Sequence, residues 1–172
     1  MQIKKIDTKR LYLIPFTICI CQELLHHNFT ILKRMDINPG EHWPDEDMLE
    51  TLPRIIDKLK LVDSPSGFES WIIIEKKTNL IIGDTGFKGL PDINGCADIG
   101  YGIIARARRQ GYATEAVNAL IDRAFQKPEL NLITASCERT NTGSAKVLQG
   151  LGFSFKGTNE GMFQWELPRM AL

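Results

Sequence analysis

Arg108-Arg109-Gln110-Gly111-Tyr112-Ala113 lies between a strand-like run, Asp98 to Ile104, and an amphipathic helix that begins at about Tyr112. A glycine-containing, basic turn that feeds a helix start is suited to hold phosphate. The first turn of a helix has backbone N–H groups without partners, and the helix dipole adds partial positive charge there. Gly111 lets the backbone approach a ligand with no side chain in the way. Arg106, Arg108 and Arg109 form the densest positive cluster in a chain of zero formal net charge. The same residues would also serve as an ordinary strand-to-helix turn with solvated arginines. Other phosphate loops find no support. There is no G-x-x-x-x-G-K-[ST], and no G-x-G-x-x-G follows a strand, since Gly100 and Gly102 sit inside the strand run.

Working outward, the helix from Tyr112 to Gln126 buries Ala113, Ala116, Val117, Leu120, Ile121 and Ala124, exposes Glu115, Asn118 and Asp122, and ends before Pro128. Leu132 to Cys137 reads as a buried strand. Strand, helix and strand make Asp98–Ile104 and Leu132–Cys137 parallel neighbours joined by a right-handed crossover. If they splay, the phosphate turn stands at the mouth of the gap. Upstream, Glu69 to Glu75 and Leu80 to Lys88 read as a hairpin, and Asp98 to Ile104 pairs antiparallel with the second of these.

Arg10 to Pro15 fits a first strand and Thr17 to Met35 a helix. Asp36 to Asp47 is a loop, and Met48 to Leu61 a second helix in which Pro53 forces a kink or a new start. Thr140 or Asn141 caps a short helix, Ser144 to Gln149. Phe153 to Lys156 and Met162 to Leu167 form a terminal hairpin around Thr158-Asn159. The order β-α-α-β-β-β-α-β-α-β-β describes an α/β domain spanning residues 1–172, without repeat or linker.

Composition narrows the classes. The 172 residues are 43% hydrophobic and 24% charged, as in soluble globular proteins. Lys plus Arg equals Asp plus Glu at 21 each, which argues against a nucleic-acid surface. No apolar run approaches a membrane span, and the polar Met1 to Arg10 lacks a signal-peptide core. Cys19, Cys21, Cys96 and Cys137 form no C-x-x-C, and His26, His27 and His42 complete no zinc pattern. The expectation is a cytoplasmic protein with reduced thiols and no metal.

Arg108-x-x-Gly111-x-Ala113 before a helix resembles the acyl-CoA pyrophosphate loop of the GCN5-related N-acetyltransferases, the GNAT family. Twenty-eight residues after Ala113 comes Asn141-x-x-Ser144, followed by Leu151-Gly152-Phe153, which is also similar to that family. Thr8-Lys9-Arg10-Leu11-Tyr12-Leu13 and Gly83-Asp84-Thr85-Gly86 resemble its branch that acetylates ribosomal-protein N-termini, the Rim-type branch. The resemblance covers about Thr8 to Leu167.

It implies a mixed, mostly antiparallel twisted sheet of about seven strands and about four helices. Its central β-α-β crossover has splayed parallel strands that form the cofactor cleft. The implied reaction is direct attack of a primary amine on acetyl-CoA. On this resemblance Ile103 and Ile104 offer backbone groups to the pantetheine amides and the oxyanion. Arg108, Arg109, Gln110, Gly111, Tyr112, Ala113 and Thr114 wrap the pyrophosphate, Asn141 meets the pantetheine arm, and Ser144 reaches the thiol sulfur. Asp98 and Glu138 are the candidate general bases; both also fit solvated strand ends.

Many family members carry a tyrosine acid seven residues after the Asn141 position, where this chain has Leu148. That departure leaves thiolate protonation to Ser144 or water, and keeps open a CoA-binding regulatory module without turnover. The phosphate turn alone would also suit a nucleotide domain unrelated to CoA. Asp36, Glu41, Asp45, Glu46 and Asp47 make the loop before the second helix acidic, which suits a cationic acceptor, though a helix dipole favours acids there too. His42 and Trp43 are candidate acceptor-site residues. A protein N-terminus heads the acceptors, with a polyamine or an aminoglycoside as the alternative. The resemblance also admits a homodimer through the terminal hairpin.

Overall fold

The structure is a computed structural model that describes residues 5–62 and 66–170. The first few residues of the polar N-terminal lead-in therefore lie outside the described residues. The elements run β1 (Ile6–Asp7), β2 (Leu11–Pro15), α1 (Ile18–Leu25), α2 (Thr30–Arg34), α3 (Glu46–Leu59), β3 (Ser70–Glu75), β4 (Leu80–Phe87), β5 (Cys96–Ile103), α4 (Tyr112–Ala124), β6 (Leu132–Glu138), α5 (Thr142–Gly150), β7 (Ser154–Asn159) and β8 (Met162–Pro168). Among the described residues the strands form one sheet in the order β1-β2-β3-β4-β5-β6-β8-β7, in which β5 and β6 pair parallel and the other neighbours antiparallel.

The α/β class, the antiparallel β3–β4–β5 meander and the β5-α4-β6 crossover agree with the sequence expectations. The counts differ, with eight strands and five α-helices among the described residues. The extra strand is β1, which pairs Ile6 with Leu13 and Asp7 with Tyr12. The extra helix arises because Thr17–Met35 is not continuous. His27 turns the chain at φ 52° between α1 and α2, and α1 starts where Thr17 Oγ1 accepts the N–H of Ile20 at 3.2 Å. Helix α3 begins earlier than its apolar stripe suggested, capped by Asp45 on the N–H of Met48 at 2.9 Å, and runs on through Pro53. The terminal turn falls at Glu160-Gly161, where φ is 48° and 80°, rather than at Thr158-Asn159.

One register detail shapes the site. β5 and β6 pair only at Cys96–Leu132, Ala97–Ile133 and Asp98–Thr134. Beyond that, β5 continues against β4 from Ile99–Phe87 to Ile103–Gly83, and β6 against β8 from Ala135–Trp165 to Glu138–Met162. The two strands therefore part after three residue pairs and leave a V-shaped gap in the middle of the sheet.

Helix α4 packs against β5, β4 and β2 and buries Ala116, Val117, Leu120, Ile121 and Ala124, as expected from its periodicity, together with Tyr112, which that stripe did not include. Ala113 lies at the edge of that face rather than within the core. Two glycines allow β4 its neighbours. A Cβ on Gly83 would lie 2.0 Å from Gly102 O, and one on Gly86 would lie 2.4 Å from Ser70 Cα.

Candidate active site

In an antiparallel pair, alternate residues direct their N–H and C=O groups to the same neighbour. Ile104 N–H bonds Ile82 O at 2.9 Å and Lys88 N–H bonds Asp98 O at 2.7 Å, so the even-numbered residues of β5 face β4. Tyr101 and Ile103 consequently aim their backbone groups across the gap toward β6, where no strand pairs with them among the described residues. This corrects half of one expectation. Ile103 stands on the open edge, but Ile104 does not, because its N–H is committed to the β4 ladder. The Ile103 carbonyl accepts Arg108 Nε at 2.8 Å, which ties the basic turn to the end of the strand.

The turn itself needs two left-handed residues, Arg109 at φ 60° and Gly111 at φ 78°. Glycine adopts this freely, whereas an arginine there costs about 1–3 kcal/mol, a strain that tends to collect at binding sites. The first ladder bond of α4 runs from Glu115 N–H to Gly111 O at 3.0 Å. The preceding amides, through Thr114, are the unpaired donors of a helix start. Arg108, Arg109, Gln110 and Gly111 are exposed, and Ala113 and Thr114 half-buried. Tyr112 is buried and donates to Glu75 Oε1 at 2.6 Å, a bond that, with burial, raises its phenol above the usual range.

The N-terminal motif acquires a physical role here. Glu115 Oε1 accepts Thr8 Oγ1 at 2.6 Å and Arg10 N–H at 2.7 Å, and Oε2 accepts Arg10 Nε at 2.6 Å. Arg10 also donates Nη1 to Gln110 O at 2.8 Å and stacks over Tyr112, 4.4 Å from the ring centre. Glu115, expected on the exposed face, is instead a clamp between the chain's start and the turn. Burial pushes its carboxyl up, but these donors outweigh that and hold it below the usual range.

A depressed carboxylate stabilises the fold above its unfolded pKa and loses that contribution as pH falls through the folded one. Glu115→Gln is therefore expected to cost about 1–2 kcal/mol at pH 7, lowering Tm by roughly 2–8 °C. The gap should narrow as the pH drops below 4.5, the ordinary glutamate value. A thermal-melt series from pH 3 to 8 checks this, and a gap constant over that range would refute the clamp.

Across the gap, Asn141 Oδ1 caps α5 by accepting Ser144 N–H at 3.0 Å. Ser144 is half-buried, and its carbonyl accepts the hydroxyl of Tyr101 at 3.2 Å. Tyr101 thus reaches from β5 to α5 beneath the splay, with burial pushing its phenol up to about 12. The sequence reading did not single it out; a lone tyrosine in a glycine-rich strand gave little signal. Leu148 is 1% exposed and belongs to the core.

The opposite face of the sheet carries the carboxylates. Asp98 is paired with Lys88 Nζ at 2.5 Å and accepts Thr134 Oγ1 at 3.4 Å. Glu138 is exposed at the end of β6, on the same face by alternation. Of the acidic loop, Asp45 caps α3 while Glu46 and Asp47 lie in its first turn, where the dipole favours them. Trp43 is buried, and its indole N–H donates to Asp84 at 3.0 Å. Among the described residues no group of three or more His, Cys, Asp and Glu is placed to hold a metal, and no helix is long and apolar enough to cross a membrane. All four cysteines are free.

Residues 10–154 match the family of the acetyltransferase (GNAT) domain. The chain is 36% identical over 148 residues to the uncharacterized N-acetyltransferase YjdG of Bacillus subtilis (strain 168), covering 86% of this chain and 88% of that one. Among solved structures it is similar to the ribosomal-protein-S5-alanine acetyltransferase of Vibrio fischeri, with a TM-score of 0.67 at 18% identity over 96% of both chains. It is also similar to RimL, a ribosomal L7/L12 alpha-N-protein acetyltransferase in complex with coenzyme A. There the TM-score is 0.68 at 17% identity, over 96% of this chain and 98% of that one.

Proposed function

This chain belongs to the GNAT family and is an N-acetyltransferase; from that premise we propose that it moves an acetyl group from acetyl-CoA to a protein N-terminal amine of the ribosomal-protein type. The observation that carries the reading is the gap between β5 and β6, which opens beside the arginine–glycine turn at the start of α4. In this reading the free amides from Gly111 to Thr114, with Arg108, Arg109 and Gln110, hold the pyrophosphate. The open edge of Tyr101 and Ile103 meets the pantetheine amides, and Ile104, bonded to Ile82 of β4, holds the end of that strand. Asn141 and Ser144 border the sulfur from α5. Asp98 and Glu138 lie on the face from which the amine would arrive.

Two of the similar solved structures are, by name, ribosomal-protein acetyltransferases, one of them in complex with coenzyme A, which supports the acceptor class. The protein would work in the cytoplasm as a single domain over residues 1–172, alone or as a homodimer through the β7–β8 hairpin.

Thermal shift with acetyl-CoA, CoA and ATP tests the cofactor. A ligand at 100 times its Kd adds about 2.7 kcal/mol, roughly 5–11 °C in a chain of this size. Both CoA forms should stabilise the fold and ATP should not; ATP alone doing so would overturn the reading. The acceptor is tested by CoA thiol release with peptides bearing free Ser or Ala N-termini, against spermidine and an aminoglycoside. Turnover confined to the small amines would move the substrate class.

A further inference from the structure

One carboxylate on the acceptor face has no part in the arrangement so far. Asp84 on β4 stands opposite Gly102 of β5 in register, so the two present their side chains to the same face. On that face β5 offers Gly100 and Gly102, a strip of bare backbone beside the gap, and Gly102 is exposed. Asp84 Oδ1 lies 4.0 Å from where a Cβ on Gly102 would stand. Its Oδ2 accepts the Trp43 indole, so the carboxylate is oriented with one oxygen fixed. Trp43 is itself held at 3% exposure, against Phe16 at 6.3 Å between ring centres.

We propose that Asp84 is the catalytic base that takes the proton from the acceptor's ammonium group, and that the bare Gly100–Gly102 strip is the passage by which the amine reaches the thioester. This rests on the acetyltransferase reading and adds a residue to it. Among the described residues no lysine, arginine or histidine bridges Asp84, whereas Asp98 is already paired with Lys88. Burial pushes the Asp84 carboxyl up to about 7, with the Trp43 bond pulling down and the Asp45 charge adding to the rise. A base matched to neutral pH transfers protons most effectively. The other charges on this face include Lys88 and Asp98, paired with each other, and Glu138 at the end of β6, while Asp45 at the start of α3 is the charge felt by Asp84.

In the step, Asp84 accepts one proton of the ammonium. The freed lone pair forms the C–N bond at the thioester carbonyl, and the C–S bond breaks with its electrons on sulfur. A second N–H proton goes to that sulfur. The products are the amide, the CoA thiol and a neutral Asp84, which returns its proton to water.

Asp84→Asn keeps an oxygen for Trp43 and removes the base. With a free-Ser peptide as acceptor and acetyl-CoA, kcat should fall about 100- to 1,000-fold with acetyl-CoA affinity within twofold of the parent. The acidic limb of the parent's kcat profile, with a midpoint near 7, should vanish. Trp43→Phe removes a donor to the ionised form and should move that limb to higher pH. A fall in kcat of less than threefold for Asp84→Asn overturns the proposal. A readout independent of turnover is the pH titration of the assigned Asp84 carboxyl ¹³C resonance in the ligand-free protein. A midpoint near 7 supports the assignment and one below 5 overturns it, even where Asp84→Asn fails to fold. Failure of the parent to release thiol with any amine instead counts against the acetyltransferase reading and leaves the titration to decide Asp84.

Discussion

Gly111→Val should weaken acetyl-CoA binding by about 100-fold or more while the protein still folds. The glycine sits at φ 78°, and a Cβ there would stand 3.4 Å from Arg10 Nη2. A β-branched side chain at such a φ costs about 1–3 kcal/mol, less than the 5–15 kcal/mol that holds a typical domain together. The larger loss is at the ligand. The new methyl groups push on the guanidinium that bonds Gln110 O and Glu115. They also stand over the amides that the pyrophosphate would use. Losing two charge-assisted bonds worth about 1.5–3 kcal/mol each amounts to at least 100-fold in affinity. Calorimetric titration with acetyl-CoA, beside a melt of the free protein, separates the two effects. Unchanged affinity in a folded variant would mean that the pyrophosphate binds elsewhere.

Gly83→Ala should be the more damaging change to the fold. Its Cβ would fall 2.0 Å from Gly102 O and 3.1 Å from Ile103 Cα, both backbone atoms that no side-chain rotation can clear. Strands β4 and β5 must separate there, and the ladder bond from Ile104 N–H to Ile82 O lies next to the clash. The expected cost is about 3 kcal/mol or more, roughly 6–12 °C in Tm. Because β5 is also the open edge of the gap, CoA-dependent stabilisation should shrink with it. Gly150→Ala is the control. Among the described residues nothing lies within 4 Å of its Cβ, so the same methyl group should change stability by less than about 1 kcal/mol. A Gly83→Ala melt indistinguishable from the control would show that the β4–β5 spacing is not as close as described.

Gly83-Asp84-Thr85-Gly86 illustrates how a motif can be legible as a pattern and opaque as chemistry. Its resemblance to a family strand was visible in the residues, but nothing local says that Gly83 faces Gly102 O or that Asp84 meets Trp43, 41 residues away. Thr8 and Arg10 are similar. Their partner Glu115 lies 107 and 105 residues along the chain, and helical periodicity alone assigned it to solvent.

What the sequence by itself determined was whatever depends on neighbours along the chain. The apolar stripe of α4, the β3–β4 hairpin, a glycine in the turn before α4 and a side-chain cap at Thr140 or Asn141 before α5 all follow from spacing and from intrinsic backbone preferences. The tertiary structure alone decided that β5 and β6 part after Asp98–Thr134, that Tyr101 and Ile103 rather than Ile104 face the gap, and that Asp84 receives the indole N–H of Trp43. Each of these depends on which distant strand lies alongside. Pairing register and burial are set by the packing of the whole sheet, and a one-residue slip would turn every one of those groups to the other side.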